Sequence, residues 1–198
     1  MAMSTNVPLV LASGSARRAE LLASAGLQYQ QRPADIDETP IEGEAPVDYV
    51  KRLATTKALA VARPGELVVG ADTSVVIDAT ILGKPSDAGD AAAMLELLSG
   101  RSHEVLTGMA LVLDDVVTAH VERTVVRMTD VTREQIDWYV STGEPMDKAG
   151  SYAIQGGAAC FVETIEGSVT NVIGLPLAQL IDLIVGLGID VTSLRSGP

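Results

Sequence analysis

The hydrophobic positions of this chain fall into short blocks whose spacing alternates between that of a strand and that of a helix. Residues 7–12 form an apolar run of strand length, broken by the small residues Ser13, Gly14 and Ser15. Leu21, Leu22 and Ala25 then recur at helical spacing through residues 17–25, and Gly26 stands where a helix needs a left-handed residue to stop. Residues 27–32 read as extended and residues 35–44 as an acidic loop. Pro46 suits the first turn of a helix, where its missing N–H has no partner to lose, and Val47, Val50, Ala54, Ala58 and Val61 would line one face of it. Pro64-Gly65 closes that helix.

Residues 67–71 are continuously apolar and predict a buried strand ending at Asp72-Thr73, with residues 74–77 extended up to a turn at 78–80. The chain leaves through Gly83-Lys84-Pro85. Ser86 or Asp87 can cap a helix to about residue 98, stopped by Gly100. Residues 105–113 and 116–128 flank Asp114-Asp115 as a long hairpin. Thr132 with Gln135 three positions on forms a capping box for a helix through residue 141 that stops at Gly143. A loop (144–150), extended stretches at 152–165 and 168–173, and a helix at 177–185 complete the pattern. Alternating strands and helices around a long antiparallel hairpin predict an α/β fold: an elongated mixed sheet flanked by helices, with a cleft between two lobes, in one domain over residues 1–198.

Composition narrows what such a fold can do. Only 3% of residues are aromatic against 47% hydrophobic, so a core of Ala, Val, Leu and Ile is expected. With 26 acidic and 14 basic residues the net charge is −12, which argues against a broad surface for polymeric nucleic acid. An anionic ligand must be small and held locally. Cys160 has no partner cysteine and lies in the apolar stretch 158–162, so an inert buried thiol is expected; His103 and His120 are too far apart for a local zinc motif. Residues 1–8 lack the basic and apolar regions of a secretory signal, and Pro176, Gln179 and Asp182 interrupt the apolar tail segment. A soluble, cytoplasmic protein without a membrane partner is expected.

The phosphate loop GxxxxGK[ST], the GxGxxG fingerprint, HExxH and GxSxG are all missing. Four other features carry chemistry. Ser13-Gly14-Ser15-Ala16-Arg17-Arg18 puts a tight turn and two arginines at a helix start, where N–H groups and guanidinium forks suit an anion. Asp72 follows an apolar strand, and Glu38 in the acidic loop is a second carboxylate; oxygen-only donors suit a hard divalent cation. Lys57 sits near the apolar face of its helix and Lys84 in a loop stiffened by proline, both suited to phosphate. Finally, Asp147-Lys148-Ala149-Gly150 leads toward Gln155, whose amide can read a base edge.

In this order the motifs resemble the Maf family of nucleoside triphosphate pyrophosphatases. The carrying residues are Leu11 to Arg18, Gly70-Ala71-Asp72-Thr73, Leu82-Gly83-Lys84-Pro85, Leu98 to Val105, and Asp147 through Gly156. The resemblance implies a Maf/ITPase-like fold, a divalent cation (magnesium, manganese or cobalt), and hydrolysis of a nucleoside triphosphate to the monophosphate and pyrophosphate, with a homodimer as one assembly open to it. Carried over by position, Ser13, Arg17 and Arg18 would hold the triphosphate. Glu38 and Asp72 would serve the metal and the attacking water, while Lys57 and Lys84 would neutralise charge and Thr73 and Gln155 would border the base. Tyr152 to Gly156 resembles the branch acting on dTTP and UTP, in a house-cleaning role, rather than the branch acting on 7-methyl-GTP. A nucleotide-binding regulator of septum formation is the rival the family suggests.

Overall fold

The computed structural model describes residues 7–195; residues 1–6, on which most of the N-terminal reading rests, lie outside the described residues. The strands are β1 (Leu9–Leu11), β2 (Gln30–Gln31), β3 (Leu67–Ile77), β4 (Thr80–Leu82), β5 (Ser102–Leu113), β6 (Val116–Met128) and β7 (Val162–Glu166). The helices are α1 (Ala16–Ser24), α2 (Pro46–Val61), α3 (Ala88–Leu98), α4 (Arg133–Ser141), α5 (Val169–Ile173) and α6 (Leu177–Gly186). The strands make one mixed sheet in the order β2-β1-β3-β5-β6-β7, with β4 paired antiparallel to β3. No helix among the described residues is long and apolar enough to cross a membrane.

The chain divides into two compact units. One holds the described residues through Asp72, Thr107–Glu122 and those from Gly174; the other holds Thr73–Leu106 and Arg123–Ile173. The first has an aliphatic core in which Val10, Ala12, Val68, Ala110 and Val112 from strands pack with Ala54 and Ala58 of α2. The composition predicts an aliphatic core, as found here, and the small residues in it have a geometric reason. Gly70 of β3 and Gly108 of β5 bear directly on α2: a Cβ on Gly70 would stand 2.2 Å from the Ala54 carbonyl oxygen, and one on Gly108 2.2 Å from that of Val50. The second unit departs from the aliphatic expectation. Four of the six aromatic residues lie in it, with Tyr139 and Phe161 buried edge-to-face, ring centroids 5.6 Å apart.

Most predicted boundaries hold, including the Thr132/Gln135 capping box and the left-handed Gly26, Gly100 and Gly143 at helix ends. Five expectations are corrected. Asp72 lies inside a single 11-residue strand, not at the end of a shorter one, because the apolar run resumes at Ser74–Ile77 and pairs with β4. Residues 152–161 are turns and 3-10 helix rather than strand; Gly150 and Ser151 adopt left-handed φ of 66° and 61°, and Gly156-Gly157 favours a second turn. The β-branched stretch at 168–173 is helix α5, since the Ser168 hydroxyl accepts the Asn171 N–H at 3.2 Å and buried Asn171 bonds the Val105 carbonyl at 3.0 Å. Val47 is exposed because α2 buries its stripe only from Val50 onward. Cys160 is likewise exposed, at the end of a 3-10 turn that directs Phe161 inward instead.

Gly108→Ala is expected to destabilise the protein by about 1–3 kcal/mol, because the new methyl must push α2 off the sheet. Gly186→Ala, at the end of α6 with nothing within 4 Å of its Cβ position, should be neutral or slightly stabilising. Urea midpoints of the two variants check the contrast.

Candidate active site

The first unit assembles an ion group around one lysine. Gly70 and Asp72 are two residues apart on β3 and so share a face. Because Gly70 has no side chain, α2 approaches closely at Ala54 and Ala58, and Lys57, next to Ala58 on that helix, meets Asp72. Lys57 Nζ donates to Asp72 Oδ1 at 2.6 Å and also lies 2.8 Å from Glu38 Oε1. Lys57 and Asp72 are both 8% exposed, whereas the Glu38 side chain is 56% exposed. The snorkelling to solvent that a lysine on a helix face often adopts does not occur here, since two carboxylates hold the ammonium inside.

The turn after β1 supplies the cationic side. Ser15 caps α1, its hydroxyl accepting the Arg18 N–H at 3.4 Å. Arg18 folds back: its Nη1 donates to Ser13 Oγ at 3.0 Å and its Nε to the Gly174 carbonyl at 2.8 Å. Ser13 is itself buried, and its carbonyl accepts the Gln31 side-chain amide at 2.8 Å. Burial lowers the pKa of the Arg18 guanidinium, against the fields of Asp72 and Glu38; Arg17, beside it in α1, adds to the lowering. Burial likewise raises the Asp72 carboxyl above the usual aspartate value, and outweighs the opposing influence of Lys57 and Arg18. The arrangement can hold an anion on Ser13 and Arg18 and offers a buried carboxylate, biased toward taking up a proton, in the same unit.

The loop that brings Glu38 to Lys57 is fixed by residues the motif reading did not single out. Arg52 of α2 grips Glu44 through two bonds of 2.6 and 2.7 Å and donates to the Thr39 carbonyl at 3.2 Å; Tyr49, one turn earlier, donates its hydroxyl to the Glu38 carbonyl at 3.0 Å. The signal in the sequence was the i, i+3 pairing of Tyr49 and Arg52 on the polar face of α2.

Ser13, Arg18, Glu38, Lys57 and Asp72 are thus brought together in one unit, with Arg17 adjacent in sequence. The other expected residues belong to the second unit. Thr73 is half-buried in β3, Lys84 is exposed in the loop after β4, and Gln155 is exposed at the tip of a turn rather than on a strand. The Lys84 loop is tied down where the Gly150 N–H bonds the Gly83 carbonyl at 3.0 Å.

Known proteins resemble this chain over nearly all of it. A family model described as Maf-like protein matches residues 8–187. Curated relatives named dTTP/UTP pyrophosphatase include one from Symbiobacterium thermophilum, 50% identical over 192 residues that make up 96% of this chain and 98% of its own. Another, from Geobacter sp., is 53% identical over 187 residues, 92% of this chain and 97% of its own. A solved structure described as the Staphylococcus aureus Ham1 protein superimposes with a TM-score of 0.53 at 12% identity, covering 91% of this chain and 99% of that one, a likeness of fold alone.

A titration of the free protein followed by carboxyl carbon NMR should show Asp72 deprotonating above the ordinary aspartate value of about 3.9. Lys57→Met should move it higher still, because the ammonium favours the charged form and its loss leaves burial less opposed. A fall, or no change, in that variant would mean the two groups are not paired in solution.

Proposed function

The chain belongs to the Maf family, and from that membership we propose that it hydrolyses dTTP and UTP to the nucleoside monophosphate and pyrophosphate. The observation that carries the reading is the buried Lys57 held between Asp72 and Glu38, beside the Ser13–Arg18 pair. Such a group suits attack on a phosphoanhydride, where catalysis is largely positioning and stabilisation of charge.

In this reading Arg18, Arg17 and the Ser13 turn hold the phosphate chain, with Lys84 as a further cation. A water oxygen attacks the α-phosphorus, its proton passes to Asp72, and the α–β bridging bond breaks with its electron pair leaving on pyrophosphate. Burial raises the Asp72 carboxyl above the ordinary aspartate value, in the direction that makes it a stronger base. Lys57 orients both carboxylates. Glu38 and Asp72 are oxygen donors of the kind a hard divalent cation takes, and since no group of three or more His, Cys, Asp or Glu stands together among the described residues, such an ion would complete its shell from water and substrate. Magnesium-like ions take such sites, keeping waters and drawing further ligands from substrate phosphates. Glu38 and Asp72 would hold the ion, which when bound polarises a phosphoryl oxygen and lowers the pKa of water.

Gln155 is proposed to read the base. Its amide can donate to O4 and accept from N3–H, the edge that thymine and uracil share, and cytosine presents the reverse pattern. The names of the relatives support this choice over 7-methyl-GTP.

Pyrophosphate release measured with magnesium on a panel of triphosphates tests the proposal. dTTP and UTP should exceed CTP in kcat/KM by about tenfold or more, and Asp72→Asn should lower kcat by about 10² or more. Orthophosphate as the first product would refute the reaction class, and preference for 7-methyl-GTP would refute the base assignment alone.

A further inference from the structure

The turn that carries Gln155 is anchored by groups that the proposed reaction leaves unused. Glu144 follows the left-handed Gly143, and its own N–H bonds the Thr142 hydroxyl at 3.1 Å. From there Glu144 Oε2 accepts the Gly157 N–H at 2.9 Å. On the other side of the turn, the Ala153 N–H donates to the buried Tyr139 hydroxyl at 3.1 Å. Burial first, and the neighbouring Glu144 second, push the pKa of the Tyr139 phenol upward. Between the anchors the Gly156 N–H closes the turn on the Ala153 carbonyl at 3.1 Å.

The contact is close enough to exclude a side chain. A Cβ on Gly156 would stand 1.8 Å from Glu144 Oε1, so the carboxylate packs against the backbone right beside Gln155. One residue before Ala153, the buried Tyr152 hydroxyl meets His103 Nε2 at 2.7 Å, a third hold on the same segment. Within residues 153–157 Gln155 is the one polar side chain, and it is exposed. Anchors on both sides fix the backbone from which this single exposed amide projects.

We propose that Glu144, acting with Tyr139, is a positioning residue for base selectivity: it holds the Ala153–Gly157 turn so that Gln155 presents its amide in one orientation. This rests on the reading of Gln155 as the base reader. Fixing the backbone of a recognition loop removes the ordering cost that a loose loop would meet on binding, so the effect should fall on KM for the matching base.

The test measures kcat and KM of the full-length protein for UTP and CTP by pyrophosphate release, in Glu144→Ala, Glu144→Gln, Tyr139→Phe and Gln155→Ala. Glu144→Ala should lower the UTP-over-CTP ratio of kcat/KM by about tenfold, chiefly through a higher KM for UTP. Glu144→Gln, which retains an oxygen acceptor for the Gly157 N–H, should restore most of the ratio. Tyr139→Phe keeps the buried ring and removes only the hydroxyl; it should lower the ratio by about threefold, and it carries the test if Glu144→Ala does not fold. A uniform loss for both substrates with the ratio intact overturns the proposal and leaves Glu144 a structural residue. If Gln155→Ala leaves the ratio intact, the reading of Gln155 fails and the proposal falls with it, a result distinguishable from the first.

Discussion

A lysine ammonium shut between two carboxylates sets the terms for the first unit. Burying the Lys57–Asp72 pair strips water from both charges, and their attraction only partly offsets that loss, so the Asp72 carboxyl titrates above the usual aspartate value. The fold accepts a marginal ion pair here and surrounds it with rigid supports. Gly70 and Gly108 let α2 lie against the strands, Arg52 and Tyr49 hold the acidic loop that delivers Glu38, and the Ser13 hydroxyl fixes Arg18. Glu38 and Asp72 balance Lys57 and Arg18 in charge. A triphosphate bearing several negative charges therefore needs further cations to settle there, which accounts for the place of Arg17 and a divalent ion in the proposed chemistry.

In the proposed chemistry this arrangement lets a protein with a net charge of −12 hold a polyanion. The cations act at short range and partly out of water, where Coulomb terms are large, while the acidic surface is screened beyond roughly 10 Å in ordinary salt. The two units divide the work differently. The first holds its ion group with an aliphatic core and close helix packing, and the second uses its aromatic rings and the Glu144 carboxylate to fix turns.

What the sequence made legible follows from how local each signal is. Capping residues, left-handed glycines and the Asp114-Asp115 turn act within a few residues, and the elements they bound were read nearly in full. The extended reading of residues 168–173 failed because β-branched residues favour strands, while the helix there depends on a serine cap and on Asn171 reaching Val105 far along the chain. The turns at 152–161 were missed because two glycines allow, but do not demand, a break in an apolar run. At the site, Asp72, Lys57 and Arg18 were identifiable from residue type and motif. Their mutual contacts were not, since they depend on Gly70 admitting α2, a packing fact with no local signature. Tyr49 and Arg52 show in the sequence only as an i, i+3 pair and Tyr139 only as a helical aromatic, because the groups they bond lie on other segments.

In the proposed reaction Lys57 and Asp72 act as one unit. A double-mutant cycle on kcat/KM for UTP, using Lys57→Met, Asp72→Asn and the combination, tests it most directly. Strong non-additivity is expected: each single change is severe, and once Asp72 is asparagine the loss of Lys57 costs less than about threefold more. Additive losses, with the double variant falling by the product of the two single effects, would contradict it.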